Sequence, residues 1–218
     1  YDHAEIGDAP LGYMVENRHM RSALFQALGS HAGVTYLAPA EITGTRREAA
    51  GVRLTLSDGT SLGAPLVIGA DGRRSFMRDQ TGIALTRWSY RQTAIVCTIA
   101  HEKPHNNVAH EHFMPAGPFA ILPISGNRSS IVWTEREDLV PELLALEDGA
   151  FLEALRLRFG DFLGALSLAG PRWSYPLGLQ FAHRSIDARL ALVGDAAHAM
   201  HPIAGQGLNL GLRDVAAI

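Results

Sequence analysis

The spacing of apolar residues in the first part of the chain predicts a helix over residues 17–28. The apolar positions recur at i, i+3, i+4, i+7 and i+8 and form one stripe: Met20, Ala23, Leu24, Ala27 and Leu28. We expect Asn17 to cap this helix and Gly29 to end it. Further helices are predicted over residues 75–80, 141–159 and 205–218.

Strand patterns fill most of the remaining chain. Residues 52–56 alternate apolar and polar side chains before a turn at 57–60, which predicts a half-buried strand. Residues 66–70 and 189–193 are short apolar runs and predict buried strands. Between them, turns rich in Gly, Pro and Asn separate strands at short intervals, which favours an antiparallel sheet: residues 91–100, 107–114, 117–124 and 129–134, with one more strand near 175–181.

The order of these elements predicts a mixed α/β (α+β) fold with two domains. An α/β piece comes first, an antiparallel sheet follows, and a second α/β piece ends the chain. We therefore expect residues 1–86 and 181–218 to form one discontinuous domain, with residues 87–180 inserted in it as an antiparallel-sheet domain. The chain has 218 residues, of which 47% are hydrophobic, so enough apolar material is present for folded cores.

Composition and charge exclude several classes of protein. The net charge is −3 and no basic run occurs, which argues against a nucleic-acid binder. No apolar stretch approaches the roughly 20 residues that span a bilayer. The single cysteine, Cys97, forbids an internal disulfide, and its apolar neighbours favour a buried side chain over a nucleophile. We expect a cytoplasmic protein, with peripheral contact to a membrane left open.

Two segments share one pattern, an apolar strand that ends in a glycine and aspartate pair. Residues 67–72 end on Asp71 and Gly72, and residues 191–198 contain Asp195. In open α/β sheets, ligands gather at the carboxyl ends of strands. A carboxylate in that position accepts hydrogen bonds from sugar or ribityl hydroxyl groups. The alternative interpretation is that each aspartate only caps a helix or forms a turn.

The second segment continues into a glycine-rich start of a helix. Residues 205–207 read Gly-Gln-Gly, and Pro202 stiffens the loop that leads to them. Unpaired backbone N–H groups and the positive end of the helix dipole are exposed at such a start. This arrangement holds an anion, or stabilises negative charge that develops on a heterocycle.

On these residues the chain resembles a known family. Residues 67–72, and the run from Gly194 to Asn209, are similar to the DG and GD motifs of class A flavoprotein aromatic hydroxylases, the p-hydroxybenzoate hydroxylase superfamily. Within it, the chain most resembles the ubiquinone-biosynthesis hydroxylases, on residues 12–18, 117–123, 132–134 and 175–177. The resemblance implies a partial, discontinuous FAD-binding domain with an inserted antiparallel-sheet substrate domain.

The resemblance also implies roles for individual residues. Asp195 would bind the ribityl chain of FAD, and Asp71 and Gly72 would lie near the cofactor phosphates and ribose, with a role toward NAD(P)H. Asn17 falls where the family has a polar or basic side chain that contacts the flavin, with Arg18 as the nearby alternative. The residues expected along the isoalloxazine ring are Pro202, Gly205, Gln206, Gly207, Leu208 and Asn209. The backbone N–H groups of the last two would lie near its pyrimidine oxygens.

The activity implied is that of an FAD-dependent monooxygenase, which hydroxylates an aromatic ring with NAD(P)H and O2. The expected substrate is a polyprenyl phenol of ubiquinone biosynthesis. A hydroxylase of a small soluble phenol and a non-catalytic interaction fragment are the alternatives. Association with a membrane surface or a biosynthetic complex is left open, no nucleic-acid partner is expected, and no acid or base is assigned.

One part of the family pattern is absent. The G-x-G-x-x-G string that cradles the cofactor pyrophosphate occurs nowhere in the sequence, which begins at Tyr1. We therefore expect that the chain lacks the N-terminal βαβ unit. As an isolated piece it is expected to hold FAD weakly or not at all, and to be inactive.

Three other groups of residues each have two interpretations. Four histidines lie within twelve residues, at 101, 105, 110 and 112, and could converge on a metal. We predict no metal, because Glu102 and Glu111, the carboxylates that would orient them, could as easily be solvated neighbours. Arg73 and Arg74 either contact a phosphate or form a solvated pair. The tryptophans at 88, 133 and 173 either line a substrate pocket or pack in the core.

Overall fold

The computed structural model describes all residues from Tyr1 to Ile218. Its α-helices are α1 (Asn17–Ser30), α2 (Phe76–Asp79), α3 (Val140–Ala145), α4 (Asp148–Phe159) and α5 (Gly207–Ala217). Its strands are β1 (Ile42–Glu48), β2 (Gly51–Leu56), β3 (Ser61–Ala64), β4 (Val67–Gly69), β5 (Leu85–His101), β6 (His110–Met114), β7 (Gly117–Ile124), β8 (Arg128–Arg136), β9 (Leu166–Leu168), β10 (Trp173–Ala182), β11 (Ile186–Asp187), β12 (Leu190–Leu192) and β13 (His198–Ala199). No helix is both long enough and apolar enough to cross a membrane.

The chain forms two compact units. The first unit consists of residues 1–36 and 93–175, and the second consists of residues 37–92 and 176–218. Each unit therefore takes two separate stretches of the chain. The domain limits predicted after residues 86 and 180 stay a prediction.

The first unit is built on the antiparallel sheet that the short strand intervals predict. Strands β6, β7, β8 and β5 lie side by side in that order, and β9 pairs with β5. Alternate residues of these strands point to one face, where Phe119, Ile131 and Trp133 are buried. Cys97 is buried among them, as predicted, and burial raises the pKa of its thiol to about 12.

Helix α4 covers this face of the sheet. Phe151, Leu155 and Phe159 are buried at helical spacing and join the core of the sheet. The prediction of one helical stretch over 141–159 is wrong in one respect, because the stretch is divided into α3 and α4. The backbone is extended between the two helices, where the Leu146 carbonyl accepts a hydrogen bond from Arg172 (2.7 Å) instead of continuing the helix.

Helix α1 lies where the apolar stripe predicts it, but its ends differ. Asn17 does not cap the helix, because Glu16 is the extended residue before the first turn and Asn17 is already helical. The helix also continues through Gly29 to Ser30, whose hydroxyl donates to the Ala27 carbonyl (2.7 Å). None of its residues is buried, so the apolar stripe predicts the helix correctly but not a buried face.

The second unit contains two three-stranded sheets. Strands β1, β2 and β3 form an antiparallel meander, in which Val52 and Leu56 are buried as the alternation predicts. The other sheet has the order β11, β12, β4, with β12 fully buried. The segment 66–70, which contains β4, is less buried than predicted, since Leu66 and Ile68 are exposed. Strand β4 is an edge strand that directs only Val67 and Gly69 toward the core.

Candidate functional site

Parallel pairing of two strands brings the two predicted aspartate segments together. Strand β4 pairs with β12 in parallel, with Val67 opposite Leu190 and Gly69 opposite Leu192. Both strands therefore end at the same edge of the sheet, where ligands of α/β proteins bind. We call residues 70–74 the Asp71 turn and residues 194–198 the Asp195 turn. The two turns lie next to each other at this edge.

The Asp71 carboxylate points toward helix α2. Its Oδ2 accepts the backbone N–H of Met77 at 3.0 Å, and the Ser75 hydroxyl accepts the N–H of Arg78 at the same distance. These N–H groups belong to the first turn of α2 and have no partner within the helix. The structure therefore supports the capping interpretation for Asp71. Beside it, Gly72 has a φ of +78° and open space where a Cβ would stand.

The Asp195 carboxylate points outward instead. Its side chain is about half exposed (48%), and its Oδ2 lies 3.3 Å from Nε of Arg73. This ion pair joins the Asp195 turn to the Asp71 turn, so Arg73 is more than a solvated neighbour of Arg74. An exposed pair of this kind is worth only about 0–1 kcal/mol, so the carboxylate is free to exchange its partner for a ligand.

Two buried side chains that the sequence analysis missed connect the backbones of the two turns. Arg78 is fully buried and donates to the carbonyls of Ala196 and Arg73, both at 3.0 Å. Gln180 donates from Nε2 to the carbonyls of Arg73 (2.9 Å) and Asp195 (3.3 Å). A buried arginine and a buried glutamine look like surface residues in a sequence, and no local pattern distinguishes them.

The amide end of α5 has the exposed form that the glycine-rich pattern predicts. Gln206 precedes the helix and makes no capping hydrogen bond with its side chain. A Cβ on Gly205 or Gly207 would meet no atom within 4 Å, so a flat group can approach the backbone there. Pro202, Leu208 and Asn209 are exposed around this opening. The helix begins at Gly207 rather than at the predicted 205, because Gly205 takes a left-handed backbone (φ +59°) after a 3-10 turn.

The loop before α5 is held by His201. Its Nδ1 accepts the N–H of Ile203 at 3.1 Å, and its ring meets Tyr90 edge-on, with 5.2 Å between centroids. Burial lowers the pKa of His201, which favours the neutral ring that this hydrogen bond requires. Tyr90 is a further residue that sequence reasoning missed.

Asn17 belongs to the first unit and is exposed at the start of α1. Its neighbour Arg18 pairs with Glu16 at 3.0 Å, and this hydrogen bond lowers the pKa of Glu16. Arg128 reaches the same carboxylate at 3.4 Å. A contact between Asn17 and a flavin stays a prediction.

The structure shows the surroundings of the predicted histidine group and of the tryptophans. His101 is buried and bonded to Lys103 and Ser129, and His105 contacts the carbonyls of Ile124 and Gly126. No group of three or more His, Cys, Asp and Glu side chains is placed to share a metal ion. Of the tryptophans, only that at 133 is in a core, while those at 88 and 173 are more than half exposed.

Comparison with protein families identifies the class. The family described as "FAD binding domain" matches residues 13–218. The chain therefore belongs to this family, which confirms the predicted membership of the class A flavoprotein hydroxylases and the predicted FAD cofactor.

Two individual relatives are similar to the chain over its whole length. The chain is 58% identical to the ubiquinone hydroxylase UbiL of Rhodospirillum rubrum, over all of this chain and 51% of that protein. It is 37% identical to the 3-demethoxyubiquinol 3-hydroxylase of Escherichia coli, over all of this chain and 56% of that protein. The chain thus spans about half the length of the curated relatives it matches.

A solved structure supports the predicted fold class. PqsL, a probable FAD-dependent monooxygenase from Pseudomonas aeruginosa, superposes with a TM-score of 0.76 at 26% identity, over 91% of this chain and 57% of that one. The predicted mixed α/β fold of the p-hydroxybenzoate hydroxylase type is confirmed.

Proposed function

We propose that the full-length protein is an FAD-dependent monooxygenase that hydroxylates an aromatic ring with NAD(P)H and O2. Its proposed substrate is a polyprenyl phenol of ubiquinone biosynthesis. The observation that carries this proposal is the parallel pairing of β4 and β12, which sets Asp195 beside the Asp71 turn at one sheet edge. The names of the two sequence relatives, a ubiquinone hydroxylase and a demethoxyubiquinol hydroxylase, support the substrate class.

The residues at this edge fit a flavin. The exposed carboxylate of Asp195 is suited to accept hydrogen bonds from ribityl hydroxyl groups. The open glycines at 205 and 207 leave room for a flat ring against the backbone of α5. We therefore assign the ribityl chain to Asp195 and the ring to Pro202 and residues 205–209.

The electrostatics of α5 suit a ring that becomes negative on reduction. The N–H groups at the start of a helix carry partial positive charge. The side chain of Gln206 makes no capping hydrogen bond to them, so this charge is not neutralised. When bound, FAD supplies the redox chemistry that activates O2 for transfer of one oxygen atom to the substrate. The protein's task is to orient the ring and the substrate and to stabilise the developing charge.

The Asp71 turn has a different proposed task. Since the Asp71 carboxylate is engaged with α2, its contribution is to hold the turn in shape. The open backbone at Gly72 is then the part available to the cofactor phosphates and to NAD(P)H. Association of the protein with a membrane or a biosynthetic complex stays a prediction.

A second candidate function is hydroxylation of a small soluble phenol. A structure of PqsL in complex with 2-aminobenzoylacetate superposes with a TM-score of 0.77 at 25% identity, over 91% of this chain and 56% of that one. This ligand favours a small aromatic substrate. The two candidates share the flavin site and differ only in the substrate.

The test uses the full-length protein loaded with FAD. NAD(P)H oxidation, O2 uptake and product mass are measured with a prenylated phenol and with the same phenol lacking the prenyl chain. We expect one added oxygen atom on the prenylated substrate. Asp195→Asn should bind FAD more weakly, while Asp58→Asn, at an exposed turn of the meander, should keep the wild-type affinity. Hydroxylation of only the unprenylated phenol would favour the second candidate, and no hydroxylation of either would overturn the monooxygenase assignment.

A further inference from the structure

One carboxylate on α5 closes the Asp195 turn at both ends. Oδ2 of Asp214 accepts the backbone N–H of Gly194 at 2.8 Å and lies 2.8 Å from Nε2 of His198. Because a carboxylate only accepts, the His198 ring is the donor in this second bond. We call these three residues the Asp214 clasp. Asp195 lies between the two residues that Asp214 holds.

The clasp is supported by direct contact between two backbones. Gly194 has a φ of +58°, and a Cβ added to Gly211 would stand 3.3 Å from the Cα of Gly194. Helix α5 and the turn therefore meet with no side chain between them. This contact and the hydrogen bonds of Asp214 lie one helical turn apart, so together they set both the distance and the rotation of α5.

The helix uses an unexpected face for this contact. Gly207, Gly211 and Asp214 follow each other at i, i+4 and i+7, so they share one face of α5. The apolar stripe of Leu208, Leu212 and Val215 is exposed instead. The spacing of a single acid with two glycines was the signal in the sequence that could have found Asp214.

The position of Asp214 in the helix needs compensation. An acid in the second half of a helix meets the negative end of the dipole, and aspartate is a poor helix former. The side chains of His198 and Asp214 are 19% and 28% exposed, so their bond is better shielded than the pair of Arg73 with Asp195. Hydrogen bonds to a shielded carboxylate are stronger than exposed ones, and these two offset the cost.

The geometry points to Asp214 as a positioning residue for the flavin. By holding Gly194 and His198, it sets the distance between Asp195, which is assigned to the ribityl chain, and the amide end of α5, which is assigned to the ring. This inference rests on the proposed function. The ribityl chain and the ring belong to one molecule, so a shift of α5 against the Asp195 turn weakens both contacts at once.

The test compares variants of the full-length protein by three readouts. They are the FAD dissociation constant, the visible circular dichroism of the bound flavin, and hydrogen exchange at the Gly194 amide without FAD. Asp214→Leu and His198→Phe should weaken FAD binding by roughly tenfold or more, since each removes a hydrogen bond to or from a shielded charge. His198→Gln keeps an N–H donor at the position of Nε2 and should restore the affinity and the dichroism. Arg213→Ala, at an exposed neighbour on α5, should match the wild type.

Each outcome decides the inference. Faster exchange at Gly194 in Asp214→Leu, together with rescue by His198→Gln, supports it. Wild-type affinity and dichroism in His198→Phe would overturn it and leave the proposed function intact, as would equal losses in the two His198 variants. The His198 pair keeps the test valid if Asp214→Leu does not fold. A full-length wild type that binds no FAD would overturn the inference and the proposed function together.

Discussion

The Asp71 and Asp195 turns show how one sequence pattern produces two different structures. Each follows an apolar strand and contains a glycine beside an aspartate, and both lie at the same sheet edge. Asp71 is directed inward to the N–H of Met77, whereas Asp195 is directed outward to Arg73. The helix that follows explains the difference. Helix α2 begins five residues after Asp71, within reach of its carboxylate, whereas α5 begins twelve residues after Asp195.

The comparison implies that the two aspartates have different roles. Where a helix start is close, the carboxylate satisfies that helix and stabilises the fold. Where a strand and a loop intervene, the carboxylate is left for a ligand, and other residues must stabilise the turn. Arg78, Gln180 and Asp214 do so from outside the motif. The two turns should therefore respond differently to substitution.

The largest effect is expected for Arg78→Leu, which would remove one of the two buried side chains that connect the turns. The substitution leaves the buried carbonyl of Ala196 without its side-chain donor and removes one of the two donors to the Arg73 carbonyl, which costs about 1–3 kcal/mol of unfolding free energy. Urea denaturation measures this loss. Arg74→Leu, at an exposed neighbour, is the matched control and should change stability by less than about 0.5 kcal/mol. Equal stability of the two variants would show that Arg78 does not hold the turns.

Asp195→Ala should weaken FAD binding with little effect on the unfolding free energy. Its carboxylate is exposed, so the unfolding free energy should change by less than about 1 kcal/mol. The affinity of the full-length protein for FAD should fall by roughly ten- to a hundredfold, because charge-assisted hydrogen bonds to the ribityl chain are lost. Flavin fluorescence titration measures the affinity. Unchanged affinity would contradict the assignment of Asp195.

Asp71→Ala should lower the unfolding free energy more than Asp195→Ala does, and the FAD affinity less. It removes the acceptor of the Met77 N–H, which costs about 1 kcal/mol of unfolding free energy, as for other helix caps. Its effect on FAD affinity should be smaller than that of Asp195→Ala. Thermal denaturation and FAD titration of the two variants side by side make the comparison. A larger loss of FAD affinity in Asp71→Ala than in Asp195→Ala would contradict the assignment of Asp195 to the ligand and of Asp71 to the fold.

The smallest effect is a pH dependence confined to the loop after the Asp195 turn. Burial lowers the pKa of His201 from its ordinary value of 6.5, so the unfolded chain binds the proton more readily than the folded loop. The neutral ring thus contributes stability that is complete above pH 6.5 and is lost as the pH falls through the lowered pKa. His201→Asn keeps an acceptor for the Ile203 N–H without titrating, and should flatten the dependence. Urea denaturation of the wild type and of His201→Asn between pH 5 and 8 checks this prediction; identical pH profiles of the unfolding free energy would contradict it.

Much of the local structure could be predicted from the residues themselves. The alternation in β2, the strands from β5 to β8 and the glycine-rich start of α5 all depend on side-chain period and on turn residues, which are local properties. The ends of α1 and the break between α3 and α4 could not be predicted. At the start of α1, Glu16 is engaged by Arg128, and at the break the Leu146 carbonyl is engaged by Arg172; both arginines come from distant parts of the sequence.

The sequence by itself determined the pieces of the candidate site: two aspartates after apolar strands, and a helix that starts on open glycines. Only the tertiary structure decided how they are combined. Arg73 and Asp195 meet although they are 122 positions apart, and Arg78 is buried although its residue type is charged. The tertiary structure also decides that the Asp71 carboxylate points toward α2 and that Asp214 binds the Asp195 turn. Contacts between distant segments leave no period in a sequence, because the free energy that selects them arises only when the strands pair and the helices pack.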